Sequence, residues 1–376
     1  MNFEEHAGKR LLAEAGIAVP PAELAATPAA AEAAARRIGA CVVKAQVPAG
    51  KRGKAGGILP AATPEEARDC AEAILAMTIA GHRVEKVLVE AQIDVARELY
   101  AAIVSDPASH GPLLLFSTAG GMDVEDMAEH HPDSMHRHPV SIRKGLLPAD
   151  AEAVAAAAGD DVAAAVAEVL VRLYGAYRRL DAELVEINPL AITGDGTVVA
   201  LDCKLVVDDA AASRQATVVA AGVPESLTEL EWRAREAGLK YIELAGSVGI
   251  LANGAGLTMT TMDAVSHFGG APANFLEIGG EAYTKARTAL EILLSSPGLR
   301  SVLVNFCGAF ARTDVMAEGV VAAWKALDPA LPIFFTIHGT GEDEAVALVR
   351  RELGIEPFEH MDDAVRAAVE AAGHAV

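Results

Sequence analysis

Aromatic residues are scarce in this chain, at 4% of 376 residues. Cores built without them must be filled by Ala, Val, Leu and Ile, which parallel α/β sheets accept readily because their strands are buried on both faces. Cysteine is equally sparse. Cys41, Cys70, Cys203 and Cys307 stand far apart with no paired spacing, which argues against a disulfide framework or a zinc site and points to a reducing cytoplasm. Positive charge is in deficit, with 31 Lys and Arg against 52 Asp and Glu and a formal net charge of -21. Neither nucleic acid nor a membrane surface is expected as a partner, since both call for a basic face. Long apolar runs are missing too. The nearest, Ala151 to Tyr174, is interrupted by Asp160, Asp161, Glu168 and Arg172, so no membrane span is expected. Met1 to Arg10 is polar and opens with acids, unlike a secretory signal.

What is present is enough for more than one core: hydrophobic residues make up 52%, and the length favours two or three domains. The chain changes character near residue 236, giving expected domains 1–236 and 237–376. Before that point strand-like runs (Cys41–Ala45, Lys86–Val89, Tyr100–Val104, Leu113–Ser117, Ala182–Ile187, Val198–Asp202) alternate with Ala-rich helical stretches in no simple order. After it, Ser247–Ala252, Asn274–Ile278, Ser301–Phe306 and Pro332–Ile337 alternate regularly with helical stretches of crossover length, which implies a parallel, doubly wound sheet. Gln215 to Lys240 joins the halves, with Glu229 to Gly238 expected as a charged linking helix.

The first half carries one unusual loop. The strand Cys41–Ala45 leads into a glycine-rich turn, residues 48–58, and then a second apolar run. Lys44, Lys51, Arg52 and Lys54 place four cations within eleven residues of an acidic chain. Glycines let a backbone approach a ligand closely, and the cations suit a triphosphate. The spacing is not that of a P-loop, and a strand follows instead of a helix. Alone, such a loop reads more readily as a flexible surface hairpin. Two further elements add to it. The strand ending in Glu90 is followed by Asp94, Arg97 and Glu98, whose acids could accept from ribose hydroxyls. Asn188 and Asp202 close two neighbouring strands, and a hard oxygen pair suits Mg²⁺ that takes its other ligands from water and phosphate; ordinary hairpin ends also carry Asn and Asp.

Taken together, Val43-Lys44, Gln46, Ala49-Gly50, Arg52 to Gly57, Glu90, Glu98-Leu99-Tyr100, Glu186 to Leu190, Asp202, Lys204-Leu205 and Arg214-Gln215 resemble the ATP-grasp domain of succinyl-CoA synthetase β subunits. That resemblance implies an N-terminal ATP-grasp domain followed by a flavodoxin-like CoA-ligase domain. It further implies that Lys44 touches the nucleotide phosphates, that the loop of Lys51, Arg52 and Gly53 covers them, and that Glu90, Ile93 and Glu98 lie around the hinge, base and ribose. Asn188 and Asp202 would hold Mg²⁺, and Glu186 would face a phosphohistidine brought by an α-type, CoA-binding subunit. The implied reaction is reversible: a dicarboxylate, by default succinate, plus CoA and ATP or GTP gives acyl-CoA, ADP or GDP and phosphate. Lys51 replaces a usual glycine and Ile93 a common threonine, changes that bear on affinity and base choice.

In the second half, the strand ends Asn253-Gly254-Ala255-Gly256, Gly279-Gly280, Cys307-Gly308-Ala309 and His338-Gly339-Thr340-Gly341 each precede a helical stretch. Bare N–H groups at helix starts attract anions, although αβ loops need small residues anyway. The resemblance places the acid and the phosphohistidine against Asn253 and the loop Ala309, Phe310 and Ala311. These three loop residues, with Glu281, depart from the family's small residues. Another acid such as malate, or a non-catalytic nucleotide-binding paralogue, are the alternative readings. His130, His131, His136 and His138 cluster beside Asp133; they read as a solvated loop more readily than as a metal site.

Overall fold

The structure is a computed structural model that describes residues 1–121, 134–224, 227–279 and 282–373. The chain separates into two compact units, Met1–Glu225 and Ser226–Val376. The helix Glu229–Glu236, expected as a link, packs with the second unit: its Leu230 and Ala234 share that unit's core with Leu239 and Tyr241. A reciprocal capping box between Thr228 and Glu231 starts it.

The described residues of the first unit form two antiparallel sheets and one ribbon. Strands β1 (Ala22–Ala25), β2 (Cys41–Ala45), β3 (Ile58–Ala61) and β6 (Val87–Ala91) form a sheet in the order β1-β6-β2-β3, while β4 (Thr78–Ile79) and β5 (His82–Arg83) pair separately. Helices Pro28–Ile38 and Pro64–Leu75 pack their alanine faces on the first sheet. Both begin alike: Thr27 and Thr63 accept from the backbone N–H three residues on, and a proline follows where no helical donor is lost.

The larger sheet runs β11 (Val198–Ala200), β10 (Ala182–Thr193), β7 (Val95–Asp106), β8 (Gly111–Ser117), β9 (Met135–Pro139), with β12 (Lys204–Val207) also on β10. Helices α1 (Glu5–Glu14), Pro148–Ala155 and Ala163–Arg179 pack against it. The apolar run from Ala151 therefore folds as two helices interrupted at Gly159, which takes φ 99. Among the described residues no helix is long and apolar enough to cross a membrane. The histidine segment differs from expectation: His136 and His138 lie on β9, in register with Phe116 and Leu114, while His130, His131 and Asp133 lie outside the described residues.

Among its described residues the second unit has five strands, β13 (Lys240–Glu243), β14 (Val248–Ala252), β15 (Asn274–Glu277), β16 (Ser301–Gly308) and β17 (Ile333–Gly339), in the order β13-β15-β14-β16-β17. The last four are parallel and β13 is an antiparallel edge. Buried Asn274 reinforces the β14–β15 join, accepting from Ile250 N at 2.9 Å and donating to Ile250 O at 2.8 Å. The chain leaves β14 for β15 on one side and reaches β16 on the other. The carboxyl ends of β14 and β16 thus flank a topological switch point, where open α/β sheets collect ligands.

Candidate functional site

A cavity of about 760 Å³ opens in the first unit, within the range of small-molecule sites. Lys44, Lys51, Arg52, Gly53, Glu90, Ile93, Glu186, Asn188 and Asp202 all line it. Glu98 is not among its walls. It is exposed on β7, with its carboxylate so close to Gly121 that a Cβ there would come 2.2 Å from Oε2.

Two residues absent from the sequence reading organise the cations. Glu5 and Lys9 are one turn apart on α1, face inward and are buried. Gly8 explains the approach: a Cβ at Gly8 would lie 2.7 Å from Cys203 Sγ, so only a bare backbone lets α1 lie this close to the segment carrying Asp202. The Glu5 carboxylate accepts from Lys9 at 2.8 Å, from Lys44 at 3.0 Å and from Arg52 at 2.6 Å. Glu90 accepts from Lys44 at 2.7 Å and also from Lys9. The Leu201 carbonyl accepts from both lysines at 2.6 Å. Arg52 completes the array by donating to both oxygens of Asp202, at 2.7 and 2.9 Å, and to Ala45 O at 3.0 Å. Within this hydrogen-bonded array three acids face three bases, and all but Asp202 are buried.

The protonation states follow from that packing. Burial alone would raise the Glu5 carboxyl, but Lys9, Lys44 and Arg52 outweigh it and hold it well below the usual carboxylate range. Burial would lower Lys44, yet Glu5, Glu90 and Asp202 overcompensate and keep it protonated; Arg52 is raised by Glu5 and Asp202 in the same way. Burial, then Asp202, pushes the Cys203 thiol far up, so it stays protonated and inert. Buried Tyr100 donates to Glu186 Oε2 at 3.1 Å, and burial together with Glu186 keeps its phenol neutral.

The candidate metal pair lies together. The register that sets Leu190 opposite Ala200, continued by the Leu201 N–H donating to Pro189 O, brings Asn188 and Asp202 side by side; Asp202 lies just past β11, but Asn188, expected at a strand end, lies within β10, which runs on to Thr193. Asp202 Oδ1 also accepts from Cys203 N, and Asn188 Oδ1 from Gly121 N. A carboxylate offers about four lone-pair positions, of which Asp202 gives two to Arg52 and one to Cys203 N. This donor set fits Mg²⁺ bound through two hard oxygens. Among the described residues no group of three His, Cys, Asp or Glu could hold a metal by itself.

In the second unit the candidate loops after β14, β16 and β17 are tied together largely through backbone groups. Asn253, past the end of β14, accepts from Cys307 N and donates to Cys307 O, both at 2.8 Å, and so spans the switch point. Thr340 pins the next loop, giving its N–H to Gly308 O and its hydroxyl to Ala309 O. Glycine is required at the crossing, since a Cβ at Gly308 would lie 2.1 Å from Ala311 O. Ala309 and Phe310 are exposed, Phe310 fully, and Ala311 is half-buried. Glu281 lies outside the described residues.

Comparison with known proteins places the two halves of the chain in two domain families. Residues 2–192 match the ATP-grasp domain family and residues 251–370 the CoA-ligase family. A nucleotide-binding grasp domain followed by a CoA-ligase domain defines a subunit of a nucleotide-dependent acid–CoA ligase. The chain is 44% identical to the β subunit of an ADP-forming succinate–CoA ligase from Rubrobacter xylanophilus, over 99% of each chain. It is 41% identical, over 93% of each, to that of a GDP-forming succinate–CoA ligase from Thermus thermophilus. The chain belongs to the succinate–CoA ligase β-subunit family. Among solved structures it is similar to ATP citrate lyase from Methanothrix soehngenii in complex with citrate and coenzyme A, at 24% identity, a TM-score of 0.71 and coverage of 98% of this chain and 99% of that one; at that identity the likeness concerns the fold.

Proposed function

We propose that this chain is the nucleotide-handling half of a cytoplasmic ligase whose other half is an α-type, CoA-binding subunit carrying a phosphorylatable histidine. A carboxylate cannot form a thioester directly, because oxide would have to leave. The γ-phosphoryl group of ATP or GTP therefore passes to the partner's histidine, releasing ADP or GDP. A carboxylate oxygen of the acid, by default succinate, then attacks that phosphorus and the histidine nitrogen leaves. CoA sulfur attacks the resulting acyl phosphate at carbon, expelling inorganic phosphate. Every step is reversible.

The observation that carries this reading is the convergence of Lys44, Arg52, Asn188 and Asp202 on one cavity. Lys44 and Arg52 meet phosphate oxygens, and the turn of Lys51 and Gly53 covers them. Glu90 is the counter-ion of Lys44, and Ile93 serves the base side; Glu98, which lies outside the cavity walls, takes no part in this reading. Asn188 and Asp202 hold Mg²⁺, which when bound neutralises phosphate charge. Glu186, oriented by Tyr100, receives the visiting histidine. Asn253 and the loop Ala309 to Ala311 receive the acid.

The test is reconstitution with the α-type partner and γ-labelled ATP. Acid-labile label on the partner's histidine is expected, and its absence would overturn the reading. In the same assay Asp202→Asn should raise the Mg²⁺ midpoint and slow labelling on the order of tenfold or more, with the protein still folded. An unchanged Mg²⁺ titration would make Asp202 a strand-end residue.

A further inference from the structure

Glu5 touches more of the phosphate-binding machinery than any role assigned so far explains. Its carboxylate is shared among Lys9, Lys44 and Arg52 at 2.6–3.0 Å, and its side chain is fully buried. None of the three cations needs Glu5 to stay in place. Lys44 keeps Glu90 and the Leu201 carbonyl, Lys9 keeps the same two, and Arg52 keeps both oxygens of Asp202 and the Ala45 carbonyl. What Glu5 supplies alone is charge: with Glu90 and Asp202 it makes three acids against three bases. Without it the same array would carry one net positive charge in a site of low effective dielectric, where an unbalanced charge acts strongly.

We propose that Glu5 is an internal counter-ion standing in for nucleotide phosphate oxygens, a brake that holds nucleotide affinity down so that product can leave. It takes up the cations' hydrogen-bonding capacity, and an incoming polyphosphate must compete with it for Lys44 and Arg52. A reversible enzyme releases nucleotide in both directions, so excess affinity for either form would slow turnover. The proposal rests on the nucleotide binding in this cavity. It concerns a residue that acts through others, and α1 delivers it only because Gly8 permits the close approach to Cys203.

The experiment measures ATP and ADP dissociation constants by calorimetry, and melting temperatures with and without ATP, for wild type, Glu5→Gln, Glu5→Gln with Lys9→Met, and Lys44→Ala. Glu5→Gln should melt lower when free, gain more than wild type from saturating ATP, and bind both nucleotides about tenfold more tightly. The double variant restores neutrality and should bring both constants back toward wild type; it also serves if the single variant does not fold, since a purely structural Glu5 would leave its affinity far from wild type. Affinity in Glu5→Gln that is unchanged or weaker, with no larger thermal gain, overturns the brake. Wild-type affinity in Lys44→Ala would instead overturn the placement of the nucleotide.

Discussion

The two candidate sites are built by opposite means. In the first unit the cavity is walled by side-chain charges that are buried and already paired: Lys44 and Arg52 against Glu5, Glu90 and Asp202. In the second, the loops after β14 and β16 are tied largely through backbone groups, by one side-chain amide, Asn253, and by Thr340. The difference suits the ligands. A triphosphate brings several charges and needs mobile cations whose own cost of burial is met by counter-ions. A small acid passing to and from acyl phosphate needs fixed N–H groups that reorganise little. Substitutions in the first site should therefore act through charge and stability together, and those in the second through fit.

Lys44→Ala is the largest expected break. It removes the cation shared by Glu5 and Glu90 and leaves two buried acids depending on Lys9 and Arg52. Labelling of the partner's histidine should fall by at least about a hundredfold. The folded protein should also lose stability, by an amount approaching the roughly 3–5 kcal/mol of a broken buried pair. Denaturant titration and the labelling assay read the two effects. Wild-type labelling would refute the assignment of Lys44.

Phe310→Ile probes the other side of the comparison with a smaller effect. Phe310 is wholly exposed on the loop after β16, where Thr340 fixes Gly308 and Ala309 beside it. An apolar wall separates acids by size, at roughly 1–3 kcal/mol per methylene when fully enclosed. An open ring should shift kcat/KM ratios across a dicarboxylate panel toward the lower end, about threefold to tenfold. Nucleotide KM should hold, because the cations that set it belong to the first unit. An identical acid ranking in both proteins would place Phe310 away from the substrate.

How far these sites were legible in the sequence follows the range of the interactions. The turn after β2 stood out because strand, glycines and cations are neighbours in the chain. Asn188 and Asp202 could be paired because they fall on adjacent strands, although β10 runs on past Asn188 to Thr193. The parallel strands β14 to β17 were readable from their alternation with helices. Glu5 and Lys9 were not, because charges near a helix start ordinarily face water; only the meeting of Gly8 with Cys203 turns them inward. β13 went unseen because it is a short antiparallel edge whose Tyr241 is buried while Ile242 stays exposed. The helix Glu229–Glu236 looked like a link because its charged surface hides the two residues, Leu230 and Ala234, that anchor it.

The finest contrast concerns backbone strain. In the second unit the left-handed positions near the strand ends belong to glycines: Gly254 at φ 99, Gly339 at φ 103 and Gly341 at φ 85. In the first, the turn over the cavity puts Lys51 at φ 60, a region where a Cβ costs roughly 1–2 kcal/mol. Two backbone bonds hold the turn there: Ala55 N donates to Lys51 O at 3.2 Å and Gly57 N to Arg52 O at 2.9 Å. Lys51→Gly should relieve the strain, while glycine's greater freedom in the unfolded chain returns about 0.5–1 kcal/mol. The net gain should be on the order of 0.5–1 kcal/mol, or roughly 1–4 °C in melting temperature for a unit of this size. If the lysine is kept at a strained position for its charge, the same variant should bind ATP a few-fold more weakly. Melting and calorimetry on one sample separate these effects. A variant that melts lower would show that contacts of the Lys51 side chain outweigh the strain. One that melts higher with unchanged ATP affinity would show that Lys51 shapes the turn without meeting the phosphates.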